Sequence, residues 1–182
     1  TKEESIKSHL PKKNLKDSPN LIKIMIFVYG LMMLAQIIFY TIPIHLPFYL
    51  QNLTGASGTE SGLAIALVTL SAGITSFTYG KFKAKFGYIY MMSISIGLVG
   101  IGYLLVSQAT GYSLLLTGLT TLGVGFGFFM PNVNTWLADI APIEFRGRIM
   151  SGITTAVFLG QFLSPIATQP INLVLSIDEL YL

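Results

Sequence analysis

The long apolar stretches of this sequence hold few polar side chains, and those few carry no fixed charge. Gln36 and Tyr40 lie one helical turn apart in one stretch. Asn132 and Asn134 follow Pro131 in another, and Gln161 sits in a third. Carboxamides and a phenol at such positions donate and accept hydrogen bonds without carrying charge. Thr69, Ser71 and Thr75 add hydroxyls to a further stretch. Polar groups are costly in lipid, so they mark either a solute path or hydrogen bonds between helices. Both readings stand for each residue taken singly.

Other chemistries find little support. There is no cysteine, which excludes disulfides and thiolate metal sites. The histidines, His9 and His45, fall on opposite sides of the first apolar stretch and neither has a partner motif. Gly123, Gly125 and Gly127 imitate a nucleotide loop, but they lie inside an apolar stretch with no strand before them. A membrane enzyme would need acid, base or metal groups gathered at one face. The sequence offers no such group, and no catalytic residue, metal or cofactor is expected.

The elements that carry these residues follow from composition. The chain is 52% hydrophobic and only 10% charged, against about 25% charged in a soluble domain. Five stretches reach the length of about 20 residues that a hydrocarbon core of about 30 Å requires. They run roughly over 21–49, 63–80, 88–106, 112–137 and 149–166. All eleven Lys and Arg fall in three groups: Lys2 to Lys23, Lys81 to Lys85, and Arg146 to Arg148. If each stretch crosses the membrane, the three groups share one side. That is the positive-inside pattern, with the amino-terminal segment cytoplasmic. Glu60, Asp178 and Glu179 are left outside. The basic side suits anionic lipid headgroups, and nucleic acid is not an expected partner. The fold class is therefore all-α and integral to a membrane, with about five transmembrane helices. Residues 1–20 read as a cytoplasmic linker, 21–170 as the bundle, and 171–182 as an external, truncated loop of a longer protein.

Small residues recur at four-residue spacing: Gly152, Ala156, Gly160 and Ser164; Ala72, Ser76 and Gly80; Gly123 and Gly127. Such stripes let helix backbones approach closely in lipid. Pro43 and Pro47 should kink the outer end of the first span.

Two loops carry a family resemblance. Gly80-Lys-Phe-Lys-Ala84-Lys85-Phe-Gly87 resembles the signature loop of the major facilitator superfamily, with Ala84 in place of its acid and Tyr88 in place of a frequent base. The run Gly123-Val-Gly125-Phe-Gly127 to Pro131, then Asp139-Ile-Ala-Pro142-Ile-Glu144-Phe-Arg146-Gly147-Arg148 and Gly152, is similar to a glycine-rich helix and Arg-Gly turn of the same superfamily. The resemblance covers roughly residues 21–170. The degraded first loop and the Lys-rich entry imply the carboxy-terminal half, spans seven to eleven of twelve. What the resemblance implies is a partial helical bundle that, with a missing amino-terminal half, moves a small-molecule substrate by alternating access. Proton-coupled efflux of amphipathic compounds across the cell membrane is the first expectation, and a sugar or metabolite permease the second. A receptor or scaffold, or a membrane enzyme, is the remaining alternative. The resemblance further implies that Gln36, Tyr40, Asn132 and Gln161 line the central cavity. It implies that Lys85, Asp139 and Arg146 form a cytoplasmic latch, with Gly80, Gly87 and Gly147 shaping its loops.

Overall fold

The computed structural model describes residues 19–174, with side chains over 20–169. Four helices account for nearly all of it: α1 (Pro19–Thr54), α2 (Gly58–Ser107), α3 (Tyr112–Ile140) and α4 (Arg146–Val174). Each is long and apolar enough to cross a membrane. The expected linker lies outside the described residues except for its last two, which open α1. Of the expected external loop, only the backbone to Val174 is described, and there α4 continues past the expected end of its span.

α2 is two of the five expected spans. Its 50 residues would reach about 75 Å at a rise of about 1.5 Å per residue, more than twice a hydrocarbon core. The helix breaks at Gly87, where φ is 74° and ψ 179°. L side chains rarely adopt that φ, and glycine adopts it freely. The chain reverses there. Along α3, the segment 58–86 runs in the same direction: Val68 and Ser71 meet Gly123, Ala72 and Thr75 meet Gly127, and Tyr79 meets Asn132. The segment 88–107 runs oppositely: Tyr88 meets Asn132, Ser95 and Val99 meet Gly125, and Val106 meets Gly118. The described chain therefore makes five helical passes.

The helix ends differ from expectation for local reasons. Ser57 and Glu60 form a capping box: the Ser57 backbone N–H donates to Glu60 Oε2 at 2.7 Å, and the Glu60 N–H donates to Ser57 Oγ at 3.4 Å. Such a reciprocal cap satisfies donors that a helix start leaves free. It starts α2 five residues early and shrinks the expected outer loop to residues 55–57. The cationic turn is likewise helical through Phe86, and the break is confined to Gly87.

The passes form two packets. α3 packs along both halves of α2, and α4 packs along α1. Small residues set both contacts. A methyl group on Gly127 would stand 2.5 Å from the Ala72 carbonyl oxygen, and one on Gly160 would stand 2.5 Å from that of Met33. Ser76 Oγ donates to the Gly127 carbonyl at 2.9 Å, and Ser164 Oγ donates to the Ile37 carbonyl at 2.8 Å. Between the packets, Phe39 meets Phe126 edge-on with ring centroids 4.4 Å apart. Tyr49 and Tyr103 hydroxyls donate to the Val106 and Ile38 carbonyls at 3.0 and 2.6 Å. Lys23, Lys81 to Lys85 and Arg146 to Arg148 all lie toward one end of the bundle, called inner below.

Candidate functional site

Gln36 stands at the midpoint of α1, and Gln161 one residue past the midpoint of α4. Gly160 lets the two helices close until these side chains meet. Gln161 Nε2 donates to Gln36 Oε1 at 3.4 Å, and Gln36 Nε2 reaches Met130 Sδ of α3 at 3.8 Å. Gln36 is 1% exposed. Both bonds are long, and sulfur is a weak acceptor, so this buried carboxamide is incompletely satisfied. Tyr40 lies half-buried one turn outward.

Directly inward of the pair, α1 and α4 form an open groove of about 360 Å³ lined by Tyr29, Gly30, Met33, Gly152, Thr155, Ala156 and Leu159. Its inner end is fixed by Tyr29, whose hydroxyl donates to the Ile149 carbonyl at 2.8 Å. The groove thus has an apolar and small-residue wall, and the glutamine pair lies just beyond it on the same two helices. A larger depression of about 830 Å³ lies on α2, but Leu63, Leu67, Leu70, Ile74, Phe77 and its other lining residues all belong to one helix. It is an uncovered helix face rather than an enclosed site.

Asn132 does not join the glutamines. It is fully buried between α3 and α2. Tyr79 donates its hydroxyl to Asn132 Oδ1 at 2.9 Å, and Asn132 Nδ2 donates to the Tyr88 carbonyl at 3.1 Å. Both ends of the carboxamide are taken up inside the bundle wall.

At the inner end, Asp139 receives the Tyr88 hydroxyl and pairs with Lys83 Nζ at 3.6 Å. Lys83 also lies 4.4 Å from the Tyr88 ring centroid, and Trp136 stacks on that ring. The Tyr88 hydrogen bond is the largest influence holding the Asp139 carboxyl below its ordinary pKa, with Lys83 and then Arg146 adding to it. Lys85 is exposed and lies over Phe86, 5.4 Å from its centroid. Arg146 is exposed at the start of α4 and acts on Asp139 only as the last of these influences. Of the three expected latch residues, then, Asp139 sits in a cluster, and its near partners are Lys83 and Tyr88. Gly87 makes the reversal, whereas Gly80 and Gly147 lie in helix with open space around them. Among the described residues, no three His, Cys, Asp or Glu side chains gather where a metal ion could be held.

The family model of the Major Facilitator Superfamily matches residues 13–175. The chain belongs to this superfamily. Among similar superfamily members is Multidrug resistance protein 2 of Bacillus subtilis, 27% identical over 109 residues, which cover 60% of this chain and 27% of that protein. Glucose transporter GlcP of Staphylococcus epidermidis is 25% identical over 95 residues, covering 52% of this chain and 21% of that protein. Sugar transport protein 10 of Arabidopsis thaliana is 32% identical over 91 residues, covering 50% and 18%. The chain spans less than a third of the length of these superfamily relatives.

The side chains without an expected role are Lys83, Trp136, Tyr79 and Met130, and Tyr88, expected only as a departure from the signature loop, proves to be the hydrogen-bond donor to Asp139. Tyr79 and Lys83 had a readable signal, since with Thr75 they recur every four residues on the side that meets α3.

Proposed function

We propose that this chain is the carboxy-terminal half of a secondary transporter, corresponding to spans seven to eleven of twelve. With an amino-terminal half it carries a small molecule by alternating access. Residues 1–20 are then the cytoplasmic linker between halves, and the protein sits in the cell membrane with its cationic loops inside. The observation that carries this reading is the Gln36–Gln161 pair, a weakly satisfied carboxamide pair at mid-depth beside a groove between two helices. Buried polar groups are ordinarily paired well, so a poorly paired one at a groove is suited to a solute. The protein binds and moves its substrate rather than transforming it.

The groove favours amphipathic compounds. Met33 and Leu159 line it and Met130 meets Gln36 beside it, and methionine side chains adapt to varied apolar shapes. Multidrug resistance protein 2 is among the relatives and is consistent with efflux. Proton antiport is the proposed drive. A sugar permease is the second reading, favoured by the neutral carboxamides and by the two sugar-transporting relatives. In either case Tyr40 borders the path, and Asp139 with its partners closes the inner end.

The test is uptake and efflux by the full-length protein in proteoliposomes, with an amphipathic dye and with glucose. Gln36→Leu should lower transport of the true substrate about tenfold while the protein still folds. Equal transport by wild type and Gln36→Leu for both solutes would remove the glutamine pair from the path.

A further inference from the structure

Among the described residues, His45 is the one side chain whose ordinary pKa lies near neutrality, and it is partly buried at the outer end of α1. It stands on α1 nine residues beyond Gln36, about 13 Å outward at about 1.5 Å per residue. That is just inside a hydrocarbon half-thickness of about 15 Å, within reach of outer water. Its Nε2 lies 3.0 Å from Thr168 Oγ1 of α4. Thr168 donates its own proton to the Ser164 carbonyl at 2.9 Å. With that proton engaged, the Thr168 oxygen accepts from His45 Nε2–H, and this is the tautomer on which the pairing rests. Nδ1 is left as the bare acceptor, with no hydrogen-bond partner among the described residues.

We propose that Nδ1 of His45 is a proton-binding site open to the outer phase, and that its occupancy loosens the contact between α1 and α4. A proton from outer hydronium forms the Nδ1–H bond and turns a neutral ring into an imidazolium. No counter-charge faces it. α1 and α4 carry charge only at their inner ends, as Lys23, Arg146 and Arg148, and the segment 88–107 carries none. Tyr40, Tyr49 and Tyr103 are the nearest other titratable groups on these elements. The segment 58–86 and α3 also meet the outer end of α1, and their outermost titratable groups are Glu60, taken up by Ser57, and Tyr112. Asp178 and Glu179, which follow α4, lie outside the described residues. One hydrogen bond to a neutral hydroxyl does not offset burial of an unpaired charge, so the charged ring moves toward water and Thr168 is released. The local backbone permits this movement. Pro43 and Pro47 flank His45 and remove two helix hydrogen bonds from this end of α1.

Thr41 reports the opening, because it lies one turn inward on the same helix and is 8% exposed. The experiment places Thr41→Cys as the sole cysteine of the full-length protein in proteoliposomes and adds a thiol reagent that does not cross lipid. Labelling is quenched at each pH and corrected for reagent reactivity with an exposed Gln51→Cys control. The outer pH is lowered stepwise from about pH 7.5 to about pH 4.5, through and below the ordinary histidine value of about 6.5. The corrected labelling rate should rise several-fold over that range. The rise should vanish when His45→Gln is added, and also when His45→Phe is added. A flat wild-type profile, or a rise that survives in whichever of these variants folds, overturns the proposal. No substrate is needed, so the outcome is independent of the cavity assignment.

Discussion

Asn132→Leu tests whether the carboxamide on α3 holds the bundle together or contacts the solute. Leucine keeps nearly the same volume and removes both hydrogen bonds, from the Tyr79 hydroxyl and to the Tyr88 carbonyl. Interhelical hydrogen bonds measured in membranes average about 0.6 kcal/mol, with a maximum of about 1.7. Two of them give an expected loss of about 1.2 kcal/mol and a ceiling of about 3.4. The membrane scale applies because the unfolded chain in lipid also finds partners for these groups. Tyr79→Phe removes one bond and should cost about 0.6 kcal/mol. The assay is reversible unfolding of the full-length protein in mixed micelles, run as a double-mutant cycle. The pair should show a coupling of about 0.6 kcal/mol, because the second mutation finds its bond already gone. Substrate affinity of Asn132→Leu should stay within about twofold, because its carboxamide is taken up inside the wall. A stability equal to wild type, zero coupling, or a large loss of affinity at full stability would refute the assignment.

Other outcomes follow from the same contacts. Gly127→Val should destabilise the bundle by about 1–3 kcal/mol, because the obstacle is the Ala72 backbone; a thermal shift in detergent measures it, and an unchanged melting point counts against this packing. Gly87→Ala forces an alanine to φ 74° and should cost about 1–2 kcal/mol, read by the same unfolding assay. Asp139→Asn and Tyr88→Phe should each shift the balance between inward- and outward-facing states, whereas Lys85→Ala should not; cysteine accessibility from the two sides distinguishes them. Because the Asp139 carboxyl sits below its ordinary value of 3.8, its favourable contribution is intact above that value. It is lost only as pH falls through the lower folded value, so Asp139→Asn should leave the accessibility change between about pH 7.5 and about pH 4.5 untouched.

Much of the architecture was legible. The five passes follow from apolar length and from the grouping of cations, and the small-residue stripes mark the contacts that Gly127 and Gly160 make. Reversal at Gly87 was legible as a glycine at a cationic turn. The partner of Asp139 was not, because Lys81 to Phe86 had been read as loop. As helix, this stretch places Lys83 one turn past Tyr79 on the α3 side, while Lys85 lies about 200° further round and points away. The role of Asn132 was hidden for another reason. A buried carboxamide looks the same in sequence whether it faces a neighbouring helix or a groove, and only the positions of Tyr79 and the Tyr88 carbonyl decide it. Gln36 and Gln161 are both legible as uncharged polar side chains inside apolar stretches. Their meeting depends on the two helices lying side by side across a sequence separation of 125 residues.

That separation has a consequence for assembly. α2 and α3 are neighbours along the chain, so their packet can close as soon as α3 has entered the bilayer. Of the described helices α1 is synthesised first, yet its main partner is the last one described. Until α4 arrives, Gln36, the Ile37 carbonyl and His45 lack their α4 partners and must meet lipid, water or a chaperone. Among the described helices α1 is thus the one that waits longest, and a slow or failed insertion of α4 would expose it to quality control.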